Sequence, residues 1–125
     1  MTDLKKTLYA FWSQFGVPAY LRDQVPKDAK LPYITYDVTR GSLASTTVLT
    51  AFNWHKREGA VNQERTELMD KISKAIPEGG CVLPCGNGYL HLFRNPADFQ
   101  MDWQDEQDQE VIGGRTSYEV HFYVK

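Results

Sequence analysis

Cys81 and Cys85 form a lone C-x3-C around a Leu-Pro step, and they are the first residues in this chain that could do chemistry. A structural zinc site takes four ligands, usually supplied as two close pairs. The histidines do not complete such a set, because His55, His91 and His121 lie singly in three separate strand-like segments. A disulfide at this spacing would need an oxidising compartment. The expectation is two ordinary thiols near a strand end, with no metal and no cofactor. The glycine motifs fare no better. Gly86-Asn87-Gly88 opens like a dinucleotide-binding loop, but the rest of the pattern is missing and no helix follows. Gly113-Gly114-Arg115 likewise lacks the Lys-Ser/Thr of a phosphate loop. No nucleophile elbow and no H-E-x-x-H occurs. Carboxylate pairs such as Asp105 and Glu106 sit in a polar stretch, where burial cannot raise a pKa. No catalytic residue is assigned, and the chain is not expected to be an enzyme.

Charge is unevenly spread. Residues 1–74 hold 11 Lys/Arg against 8 Asp/Glu, whereas residues 75–125 hold 3 against 8. Much of the second imbalance lies in Asp102, Asp105, Glu106, Asp108 and Glu110, a density that repels nucleic acid rather than gripping it. The plain reading of that stretch is a solvated loop. The strongest basic cluster is His55-Lys56-Arg57, with Arg40 expected nearby across a hairpin. It is too small for tight phosphate binding, but Arg40, Lys56 and Arg57 could meet the acidic loop of a neighbouring subunit. At 125 residues, 42% hydrophobic and 13% aromatic, the chain reads as one globular domain (residues 1–125). Its apolar runs are far shorter than the ~20 residues of a membrane span, and no signal-peptide core opens it. A soluble, intracellular protein is expected.

The elements that would position these residues follow from periodicity. Leu4, Leu8, Phe11, Trp12 and Phe15 make one helical stripe, started near Thr2-Asp3 and ended by Gly16 and Pro18. Residues 17–30 read as loop. Leu31-Pro32 leads into an alternating strand over 33–39, and Gly41 permits a reversal at Arg40-Gly41-Ser42 into a β-branched strand over 44–56. Two faces alternate there: Val48, Thr50, Phe52 and Trp54 against Thr47, Leu49, Ala51 and Asn53. Val61, Leu68, Met69, Ile72 and Ile76 predict a helix over 62–76, capped by Asn62 and ended by Pro77 and Gly79-Gly80. Thereafter the chain is β-like. A short strand at Cys81–Leu83 is stopped by Pro84, and a Gly86-Asn87-Gly88 turn leads to Tyr89–Phe93. Phe99, Met101 and Trp103 then alternate, and a closing strand runs from Thr116 to Val124. The predicted class is α+β, a single domain with an antiparallel or mixed sheet, two main helices and the order α-β-β-α-β-β-β.

This order, with the strand Leu31-Pro32-Tyr33-Ile34-Thr35-Tyr36, the Thr-rich strand to Trp54, the Asn62–Ile76 helix and the closing Arg115–Tyr123 strand, resembles the tail-completion or tail-terminator proteins of long-tailed bacteriophages. The likeness spans nearly the whole chain but resides in pattern, with no single diagnostic residue. It implies a non-enzymatic subunit of a homo-oligomeric ring, a hexamer. That ring would cap the tail tube protein and meet a head-connector protein, first in the host cytoplasm and then in the virion. DNA would pass through the lumen without specific binding. The acidic residues Asp102 to Glu110 would then face the lumen and repel it. Two other readings stay open: another virion-assembly role, such as head closure or a minor capsid or tail-assembly protein, and an unrelated small α+β binding module or enzyme.

Overall fold

A computed structural model describes residues 2–38, 47–57, 63–86, 88–104 and 110–124. The expected turn at Arg40-Gly41-Ser42, the strand start at 44–46, Val61, the Asn62 cap and Asn87 lie outside the described residues. Helix α1 (Thr2–Ser13) is followed by strands β1 (Ala19–Leu21), β2 (Tyr33–Tyr36) and β3 (Thr47–Lys56). Helix α2 (Gln63–Ala75) precedes β4 (Cys81–Cys85), β5 (Gly88–Arg94), β6 (Gln100–Gln104) and β7 (Val111–Val124). The class is α+β, as the sequence predicts, but the order is α-β-β-β-α-β-β-β-β rather than α-β-β-α-β-β-β, with one more strand on each side of α2. The seven strands form a mixed sheet in the order β1-β2-β3-β7-β5-β4, with β6 also paired to β7.

Four elements depart from expectation. Residues 17–30 are not all loop. Ala19–Leu21 pairs in parallel with Ile34–Tyr36, because Pro18 passes its carbonyl to the Ile34 amide and sets the segment alongside β2. Pro84 does not stop β4. The strand lies at the sheet edge, where a proline costs no ladder bond, and it pairs through to Cys85↔Gly88. The turn that follows uses Gly86 at a φ of 59°, a conformation that favours glycine. Phe99 leaves the Met101/Trp103 alternation and packs on the core under the Arg94 guanidinium, 4.6 Å above its ring. The closing strand starts five residues early, at Val111, and runs straight through Gly113-Gly114.

Strand β7 organises the molecule. One of its edges pairs with β3 from Val111 to Val120; the other is shared by β6 (Ile112–Thr116) and β5 (Tyr118–Val124). Three strands therefore meet at Gly113-Gly114, and both glycines are needed there. A Cβ on Gly113 would strike the Asn53 carbonyl and the Trp103 ring. One on Gly114 would strike the Met69 sulfur and the Asn53 side chain.

Both helices cover the same face. Leu8, Phe11 and Trp12 of α1, with Phe15 just after it, meet Ile34, Tyr36, Leu49, Leu90, Leu92, Tyr118 and Val120, and Leu68 and Ile72 of α2, with Ile76 after it, join the same core. Trp12 donates its indole N–H to the Tyr118 hydroxyl at 3.3 Å, so a fully buried aromatic pair leaves both polar atoms satisfied. Burial pushes the Tyr118 phenol far above its ordinary pKa. At the other helix, Arg94 donates to the carbonyls of Ile76 (2.7 Å) and Ser73 (2.9 Å), closing the C-terminal end of α2.

Candidate interaction surface

Alternation along the strands places a second set of side chains on the opposite face, and among the described residues no helix covers it. Tyr20, Tyr33, Phe52, Trp54 and Trp103 form a chain of rings there. Centroids lie 5.8 Å apart for Tyr20–Tyr33, 6.2 Å for Tyr33–Trp54, 4.7 Å for Trp54–Trp103 and 5.9 Å for Phe52–Trp103. The register explains the row, since Tyr33 pairs with Trp54, Trp54 with Gly113, and Gly113 with Trp103. Gly113 carries no side chain, so the Trp54 and Trp103 indoles meet edge to face above it. Trp54 also folds over β2 and donates to the Thr35 hydroxyl at 2.8 Å, which buries Thr35. A second aromatic group, Tyr89, His91, Phe93, His121 and Tyr123, occupies the β5–β7 end of this face. Val48, Met101 and Tyr123 are exposed.

The charged residues singled out from the sequence divide into three groups. Arg40, Asp105, Glu106 and Asp108 lie outside the described residues. Asp102 is on β6 and points toward α2, 3.5 Å from the Arg65 guanidinium, with its carboxylate still largely exposed. Glu110 is exposed just before β7. Lys56 and Arg57 are exposed at the end of β3, and the Arg57 amide donates to the Glu110 carbonyl at 2.6 Å. The basic strand end and the described flanks of the acidic stretch thus gather at one end of the same sheet.

His55 does not belong to that basic cluster. Strand alternation turns it inward, where it is fully buried, while Lys56 turns outward. Its Nδ1 lies 2.7 Å from Glu64 Oε1 on α2, and its Nε2 lies 3.2 Å from Asn53 Oδ1. That oxygen also accepts the Gly114 amide N–H at 2.6 Å, and Asn53 Nδ2 points to the Met69 sulfur at 3.0 Å. Burial lowers the pKa of His55 below its ordinary value; the bond and charge of Glu64 pull it back, and Arg65 lowers it further.

Two further contacts between ionisable groups involve β7. Arg115 pairs with Asp98, and Glu119 with His121 at 3.7 Å. Cys81 and Cys85 are free thiols, and burial pushes the Cys81 thiol up. Among the described residues no three His, Cys, Asp or Glu side chains are grouped to hold a metal, and no helix is long and apolar enough to cross a membrane. A cleft of about 580 Å³ lies beside β1 and β2, lined by Lys5, Arg22, Tyr36 and Asp37. The Arg22–Asp37 ion pair, at 3.6 Å, lies at its wall.

The aromatic row was not foreseen as a unit. Its signal is that both alternating sets of β3 are rich in large or β-branched residues, which a strand solvated on one face does not show. Compared with known protein families, curated proteins and solved structures, the chain matches none.

Proposed function

We propose that the chain is a non-enzymatic virion subunit that assembles into a homo-oligomeric ring at the end of a phage tail tube, between tube and head connector. The observation that carries this reading is the order of elements around one mixed sheet: an N-terminal aromatic helix, the β2–β3 antiparallel pair, a second helix on the same face, and a long closing strand. An uncovered aromatic face supports it, since contiguous exposed apolar surface marks association sites. Closed rings need one patch to meet a different patch on the next copy, and the helix-covered and open faces of this molecule differ in that way. The gathering of Lys56, Arg57, Asp102 and Glu110 at one end supports a charged contact there. In the ring, the acidic stretch would border the lumen and repel passing DNA.

Negative-stain imaging of the purified protein, alone and with unfinished tail tubes, tests the proposal. Rings with a central hole, and tubes capped at one end, are expected. Monomers at high concentration, with or without tubes, overturn it. A label inserted at Gln107 locates the acidic stretch; a position on the outer rim removes the lumen assignment and leaves the ring intact.

A further inference from the structure

The Asn53 side chain fixes what His55 can do. Because the Gly114 N–H donates to Asn53 Oδ1, that atom must be the oxygen, and the amide cannot be turned over without setting two N–H groups against each other. His55 Nε2 faces this same oxygen and Nδ1 faces the Glu64 carboxylate, so both ring nitrogens look at acceptors. A neutral imidazole has one N–H and can serve only one of them. We propose that His55 is a proton-responsive joint between α2 and the sheet: with one proton the ring bonds Glu64, and a second proton enters at Nε2 against Asn53.

Among the described residues the charged groups around the ring are few. Helix α2 presents Glu64 and Arg65, and β6 presents Asp102, which is paired to Arg65. On β7 the residue opposite His55 is Ile112, and on its own strand Lys56 points to the other face. Among the described residues Glu64 is the charged group that stabilises a buried imidazolium, with Asn53 Oδ1 as a neutral acceptor for its second N–H, while burial and Arg65 oppose it. The shorter 2.7 Å contact places the single proton of the neutral ring on Nδ1. The sign of the effect follows. The folded-state pKa lies below the unfolded value of about 6.5, so the ring's contribution is complete above that pH. It is lost as pH falls through the lowered folded value.

Histidine 15N spectra of the full chain, recorded across pH beside urea unfolding, test this. At neutral pH His55 is expected to carry one proton, on Nδ1, and to take the second only at a pH below the ordinary imidazole range. Stability is expected to fall over that range. E64Q leaves the ring in place but removes the favourable charge, and should shift the His55 titration to lower pH. H121Q should leave that titration where it is. A ring doubly protonated at neutral pH, or a titration that E64Q does not move, overturns the proposal. Both readings come from spectra of folded protein and need no substitution of His55 itself.

Discussion

At the scale of single residues, the decisive positions are those where chain segments approach too closely for a side chain. Gly114 lies between the Met69 sulfur and the Asn53 amide, and nothing flexible can absorb an added methyl on the amide side. Gly114→Ala is expected to cost at least about 1–3 kcal/mol, the usual range for an overpacked core. Gly79→Ala meets nothing within 4 Å and should change stability far less. Urea midpoints of the two variants provide the comparison. Truncating Leu8, which is fully buried under the sheet, should cost about 2–5 kcal/mol by the same measurement. The sequence discloses the helix stripes that contain Leu8, Trp12 and Ile72, because helical spacing is a local property. It does not disclose that His55 leaves its basic neighbours for the interior. That depends on which face of β3 the helices cover, and both faces carry residues able to form a core.

At the scale of elements, α2 is held at both ends by side chains from the sheet. His55 takes Glu64 in its first turn, and Arg94 takes the last carbonyls. Arg94→Met removes charge-assisted bonds worth about 1.5–3 kcal/mol each while keeping much of the aliphatic stem. Faster amide exchange confined to the last turn of α2 is the expected signature, and uniform exchange across the sheet would contradict it. Helices and long strands were legible because each repeats its own period. The short parallel strand Ala19–Leu21 was not, since three residues carry no period and parallel pairing is set by the partner strand. The early start of β7 was hidden for a related reason. Gly113-Gly114 reads as a turn, and only the crowding of β3, α2 and Trp103 around it makes glycine a strand residue there.

At the scale of the molecule, one face of the sheet is closed by two helices and the other remains aromatic and open among the described residues. Reversing Lys56 and Arg57 to Glu should leave the unfolding midpoint nearly unchanged, because both side chains are exposed. The same change should weaken ring assembly, as read by sedimentation velocity, and should do so more at low salt than at high salt. Equal assembly of the two proteins would remove this strand end from the proposed subunit contact.

The two indoles standing edge to face above Gly113 also give the protein an optical identity. Chromophores 4.7 Å apart couple their electronic transitions, so Trp54 and Trp103 should produce a split circular-dichroism couplet that neither produces alone. Either Trp54→Phe or Trp103→Phe should abolish the couplet. In the unaltered chain its amplitude reports how β3 and β6 sit across β7. Any partner that settles on that face, or any heating that parts those strands, can therefore be followed without attaching a dye.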